Sequence, residues 1–172
     1  MTADTDGSIQ ERLGTALREH DETVAVAESC TGGLIGSLLT DVPGSSDYFD
    51  RSLVTYSYDA KRTELAVSRE ALDEEGAVSE RVARQMAGGV RDRADVTWGV
   101  STTGIAGPTG GTEEKPVGTV FIGVAYAAPW DTGDSGTRVR RYEFDGSRTE
   151  IKRRIAEQAL TDVLDAVDSG GL

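Results

Sequence analysis

"VAVAESCTGG" (residues 24–33) is the stretch on which the fold turns. An alternating apolar run stops at Ala27. Ser29, Cys30 and Thr31 follow, and then Gly32 and Gly33. The pattern predicts a short strand over 23–27 and a helix that begins near Thr31. Such a corner offers free backbone N–H groups and the positive end of a helix dipole. Those donors can hold an oxyanion or a phosphate, and the two glycines let a ligand approach the backbone closely. A plain helix cap by Ser29 or Thr31 explains the same letters. They are not the G-x-S-x-G of a hydrolase nucleophile elbow.

Outward from this corner the chain alternates. "GSIQERLGTALREHD" predicts a helix with a capping box at Ser8 and Glu11. Pro43 and Gly44 stop the helix after the corner. A strand is expected over 52–58, then a short helix capped by Asp59 and a further helical turn ended by Gly76. Ser79 caps an amphipathic helix. Residues 96–104 read as a buried strand, 105–118 as a Gly/Pro loop, and 119–127 and 137–145 as strands. The last two have no helix between them and are expected to pair as a hairpin. The final helix carries a second capping box at Ser147 and Glu150. Strands alternating with helices predict an α/β fold with a mixed sheet.

The composition narrows the function classes. At 172 residues the chain suits one domain with a core that needs no disulfide or metal staple. One cysteine cannot form an internal disulfide, which fits a reducing compartment. No apolar run approaches the ~18 residues of a membrane span. The polar, acidic N-terminus does not read as a signal peptide, so a cytoplasmic location and no membrane partner are expected. The net charge is −12. A surface of that sign repels phosphate backbones and argues against general nucleic-acid binding. Acidic, lysine-poor composition also suggests adaptation to high salt.

A serine nucleophile needs a base. The single histidine, His20, falls at a helix end and is a poor candidate; it also excludes a multi-histidine metal site. Lysine is the alternative, and Lys61, Lys115 and Lys152 are the only three. Lys61 in "VTYSYDAKR" follows a strand expected to end at the same sheet edge. Burial would make its amine a base, with Tyr56 or Tyr58 to relay a proton. A surface lysine paired with Asp59 or Glu64 is the bland alternative. Cys30 competes with Ser29, but neighbours point in different directions, and a lone cysteine is usually a small buried hydrophobe. "STTGIAGPTGGTEEKPVG" (101–118) follows a strand and resembles neither a Walker A loop nor G-x-G-x-x-G. "PGSSDYF" (43–49) offers the hydroxyls of Ser45 and Ser46, or merely a turn.

Taken in order, "AESCTGG", "PGSSDYF", "VTYSYDAK", "GAVSE", "TGIAGPTGG", "KPVGTV" and "FDGSR" closely resemble the CinA C-terminal domain family. The resemblance runs from about Ser8 to Val167, and the chain resembles the stand-alone nicotinamide-nucleotide amidases of that family. It implies a single three-layer α/β/α domain over 8–168 with a mixed, mainly parallel sheet, and flexible termini at 1–7 and 169–172. It implies hydrolysis of the carboxamide of nicotinamide mononucleotide without metal or organic cofactor, and a homo-oligomer. Carried over by position, Ser29 is the nucleophile, Lys61 the base and Tyr56 the third catalytic group. Cys30, Thr31, Gly32, Gly33, Ser45, Ser46, Thr103, Gly104, Ala106 and Gly107 are the expected substrate-binding residues. The oxyanion is expected on amides of Thr31 to Gly33, and the phosphate on the glycine-rich loop and nearby hydroxyls. Many relatives read "TYSN" where Tyr58 stands here. If Tyr58 faces the pocket, substrate preference changes; if it faces solvent or a partner copy, little does. Arg148 in "FDGSR" either caps the last helix or reaches a phosphate. The competing function is a nucleotide-binding regulatory module without turnover, which would need no nucleophile–base pair.

Overall fold

A computed structural model describes residues 7–172. In chain order the elements are α1 (Ile9–His20), β1 (Val24–Glu28), α2 (Leu34–Thr40), β2 (Phe49–Val54), α3 (Tyr58–Leu65), α4 (Arg69–Glu75), α5 (Glu80–Ala94), β3 (Trp98–Gly104), β4 (Thr119–Tyr126), β5 (Gly136–Glu143) and α6 (Arg148–Asp168). A 3-10 turn at Ser45–Asp47 precedes β2. The sheet order is β2-β1-β3-β4-β5. β1 runs parallel to both β2 and β3, and the β3-β4 and β4-β5 pairs are antiparallel. The sheet is thus mixed, parallel around β1, and the expected hairpin forms from β4 and β5.

β1 shows how the layers arise. All five of its residues are buried. Side chains alternate across a strand. Val24 and Val26 join the core under α1, α2 and α6 with Leu13, Ile35 and Ile155. Ala25 and Ala27 join the opposite core with Leu65 of α3, Leu72 of α4 and Met86 of α5. Buried on both faces, β1 reads as an unbroken apolar run, the pattern of a central parallel strand. The result is three layers. No helix among the described residues is long and apolar enough to cross a membrane.

Both capping boxes form. Glu11 Oε2 accepts from Ser8 N at 2.8 Å, and Glu150 Oε2 from Ser147 N at 2.7 Å. Two boundaries differ from expectation. β2 lies at Phe49–Val54 instead of 52–58, and α3 is capped by Ser57, whose Oγ accepts from Ala60 N at 3.0 Å, instead of by Asp59. A hydroxyl cap ends the strand pattern that "VTYSY" otherwise continues. Ser169 to Gly171 wind back onto α6, with Gly171 N donating to Ala166 O at 3.1 Å; residues 1–6 lie outside the described residues.

β1 is the point where the chain order reverses. One connection leaves it toward β2 on one side, and the later chain returns to β3 on the other. Ligands of open α/β sheets bind outside the carboxyl ends of the strands at such a point. Glu28 ends β1 there, and Gly104 ends β3 beside it.

Candidate active site

The corner after β1 is held from both sides. Ser29 N donates to Thr102 O of β3 at 3.1 Å, and Gly32 N turns back to Ser29 O at 3.1 Å. Gly32 and Gly33 have φ of 60° and 102°, a region that favours glycine. Alternation continues past the strand: Glu28 faces α2, Ser29 faces α3, and Cys30 joins the core of Val24 and Val26.

Glu28 was not anticipated as part of this corner. Its side chain is fully buried. Its carboxylate accepts from Gly33 N at 3.1 Å, Ile35 N at 3.0 Å, Gly36 N at 3.0 Å and Ser52 Oγ at 2.6 Å. It therefore fills the N-terminus of α2, where an anion is most favourable. The expected oxyanion amides change as a consequence. Gly33 gives its N–H to Glu28 and Gly32 gives its own to Ser29 O. The N–H groups of Cys30 and Thr31 have no oxygen acceptor among the described residues.

Lys61 comes from α3. The Ser57 cap starts the helix so that Lys61 faces inward, where only 1% of it is exposed. Its Nζ donates to Thr55 O at 2.7 Å, to Tyr56 O at 3.4 Å and to Ser29 Oγ at 2.9 Å. The pairing with Asp59 or Glu64 does not occur. Burial lowers its pKa from 10.5 to about 8, so about a tenth of it is neutral at pH 7, against well under a thousandth for an unperturbed lysine. α3 can sit this deep because Gly89 of α5 lies against it. A Cβ at Gly89 would come within 2.1 Å of Leu65 O.

Cys30 shares the corner but not the chemistry. Burial pushes its thiol up to about 12. Nucleophilic cysteines have depressed values.

The other wall is the end of β3 and the loop after it. Thr103 Oγ1 donates to Ala77 O at 2.7 Å. Ile105 N donates to Thr119 O at 2.8 Å, and Gly118 N to Ile105 O at 2.7 Å, which folds the loop back on β4. Gly107 has φ of 77°, and a Cβ there would meet Val117 Cγ1 at 2.4 Å. Arg148, the first residue of α6, donates to Gly107 O at 2.6 Å and to the Tyr56 hydroxyl at 3.4 Å.

Together these walls enclose a cavity of about 250 Å³ over Ser29 and Lys61. Of the candidate residues, Cys30, Tyr56, Thr103, Gly104, Ala106 and Gly107 also line it, joined by Ala77, Val78, Ile105, Thr109, Gly110 and Arg148. The expected residues Thr31, Gly32, Gly33, Ser45 and Ser46 do not. The Thr31 hydroxyl is buried against Thr102 Oγ1 at 2.9 Å. Ser45 and Ser46 sit in the turn beside the start of β1, where Val24 N donates to Tyr48 O, at the far end of the sheet. Tyr56 shares the cavity, yet its phenol meets Arg148 and only its carbonyl meets Lys61. No hydrogen bond joins that phenol to Lys61 or Ser29. Tyr58 does not line the cavity; it is exposed. "GAVSE" carried the signal for Ala77 and Val78, whose apolar side chains nominate no chemistry.

The model of the CinA C-terminal domain matches residues 6–167. This chain belongs to the CinA C-terminal domain family. A CinA-like protein of Salinibacter ruber is 53% identical over 157 residues, 91% of this chain and 36% of that protein. One of Chlorobaculum tepidum is 49% identical over 94% of this chain and 38% of its own length. The CinA domain here thus spans little more than a third of these curated relatives. Among solved structures, the competence/damage inducible protein CihA from Agrobacterium tumefaciens is 38% identical, with a TM-score of 0.84 over 97% of this chain and 99% of that one. A CinA superfamily protein from Escherichia coli is 30% identical, with a TM-score of 0.82 over 95% and 92%.

Proposed function

We propose that this CinA domain hydrolyses the carboxamide of nicotinamide mononucleotide to nicotinate mononucleotide and ammonia by a Ser29–Lys61 mechanism. The observation that carries the reading is the 2.9 Å contact between Lys61 Nζ and Ser29 Oγ in a buried setting that lowers the lysine pKa to about 8. A binding module has no use for a desolvated amine against a hydroxyl.

Neutral Lys61 takes the Ser29 proton as Oγ attacks the carboxamide carbon. The N–H groups of Cys30 and Thr31 stabilise the oxyanion that forms. Lys61, now protonated, returns that proton to the amide nitrogen. The C–N bond breaks, ammonia leaves, and an acyl ester remains on Ser29. Lys61 then takes a proton from water as the water attacks the ester. Ser29 leaves with that proton, and nicotinate mononucleotide is released. Tyr56 serves here by holding Arg148 at the rim, since its phenol lies away from the proton path. The glycine-rich loop lines the nucleotide.

Ammonia release from nicotinamide mononucleotide, measured for wild type and for Lys61→Met, tests the reading. Turnover lost in the variant supports it. Nucleotide binding without turnover in the wild type would overturn it in favour of a regulatory module.

A further inference from the structure

Lys152 lies one helical turn beyond Arg148 on α6. Positions four apart share a helix face. Arg148 reaches Gly107 on one wall of the cavity. Lys152 does not line the cavity; it points to the turn beside it, with its Nζ 3.6 Å from where a Cβ on Gly32 would stand. Gly32 lies three residues past Ser29, in the turn that its own N–H closes onto Ser29 O at 3.1 Å. The Lys152 amine has no hydrogen bond or ion pair among the described residues. Its neighbour Arg153 pairs with Glu157 at 3.1 Å, and Lys115 donates to Glu75 O at 3.1 Å. A half-buried cation beside a reactive corner, left without a partner, is set apart from the surface ion pairs of this chain.

Two further facts bear on what it would hold. The chain carries a net charge of −12, so an anionic substrate approaches against the overall field and needs local cations. The N-terminus of α2, the ordinary anion seat at such a corner, is already filled by the Glu28 carboxylate. Side-chain charge must then replace helix charge. Gly32, lacking a side chain, leaves that approach open.

We propose that Lys152 is a specificity-determining residue that binds the substrate's phosphate at the Gly32 turn, outside the cavity over Ser29 and Lys61, so that the site selects a phosphorylated nucleotide over the free nucleoside. The proposal rests on the amidase reading for its substrate. It moves the phosphate from the glycine-rich loop alone to the gap between that loop and Gly32, bridged by the two α6 cations.

The test compares nicotinamide mononucleotide with nicotinamide riboside, which keeps the carboxamide and ribose but lacks the phosphate. Wild type, Lys152→Gln and Lys152→Arg are assayed for ammonia release, and mononucleotide binding is measured by calorimetric titration. Expected is an approximately tenfold fall in the mononucleotide-to-riboside ratio of kcat/KM in Lys152→Gln, carried by KM, with recovery in Lys152→Arg and a parallel loss of mononucleotide affinity. An unchanged ratio, or an equal loss on both substrates, overturns the proposal while leaving the amidase reading intact. No ammonia from either substrate in the wild type overturns the amidase reading. The titration then decides the role of Lys152: weaker mononucleotide binding in Lys152→Gln supports it, and equal binding overturns it.

Discussion

Glu28 and Lys61 grip the Ser29 corner from opposite faces of β1: the carboxylate anchors the start of α2, and the amine rises from α3 to Ser29 Oγ at 2.9 Å. Neither charge is solvated, and each has its own partners. The corner is rigid because one neighbour of Ser29 is fixed to a helix and Ser29 itself to Thr102. Preorganisation of this kind holds a nucleophile in its reactive geometry without reordering at each turnover.

Ser29→Ala is expected to lower ammonia release by at least about a thousandfold, the scale of removing a nucleophile. Cys30→Ala is expected to retain activity within about tenfold, since its thiol is inert and its role is packing. Both are read from initial rates at saturating mononucleotide. Activity surviving in Ser29→Ala would transfer the nucleophile elsewhere.

The pH dependence follows from Lys61. The base must be neutral, and its pKa is about 8, so kcat/KM is expected to rise with pH and level off above that value. A profile flat from pH 6.5 to 9 would remove Lys61 as the base.

The same group ties stability to pH. Its folded pKa lies below its ordinary 10.5, so between about 8 and 10.5 the unfolded chain holds a proton that the folded chain does not. Stability from this residue therefore rises with pH through that window, by a total on the order of 3 kcal/mol. The difference in urea midpoint between wild type and Lys61→Met, followed from pH 7 to 9, should shift in favour of the wild type as pH rises. No pH dependence of that difference would mean the amine is not desolvated.

Glu28→Gln should destabilise by roughly 2–4 kcal/mol, because an amide nitrogen would face N–H and O–H donors that the carboxylate now accepts. Urea denaturation gives the stability, and kcat on the folded variant gives the effect on Ser29. A variant as stable as the wild type would show that the four contacts are replaceable.

Gly89→Ala places a methyl against Leu65 O, with 2.1 Å available. α3 must retreat, and Lys61 with it. A loss of roughly 1–3 kcal/mol is expected, together with a lower kcat. Gly88→Ala, where nothing lies within 4 Å, is the control and should be neutral to stabilising.

Much of this was legible in the letters. The apolar run ending at a serine and two glycines placed the corner, and the scarcity of lysine singled out Lys61. Each is a local signal. What stayed hidden depends on three-dimensional closure. Glu28 looked like the charged end of a strand, because nothing in sequence shows that its partners lie five to eight residues on and at Ser52. Tyr56 was read on a strand that ends two residues earlier. Ser45 and Ser46 were joined to the site by motif order, although they occupy the opposite end of the sheet. Lys152 carried no motif at all and emerges only where α6 crosses the glycine turn.

The cavity takes its floor from the corner after the first strand and its rim from the first residue of the last helix. Chain synthesis delivers these parts at opposite ends of the process. Ser29 and Lys61 can meet once α3 has packed, but Arg148 cannot reach Gly107 until α6 has emerged and docked. A nascent or truncated chain thus holds an unroofed pair without its recognition surface. On the proposed amidase reading, catalytic competence is a late event, coupled to completion of the whole domain, and substrate turnover would report the final docking step of folding.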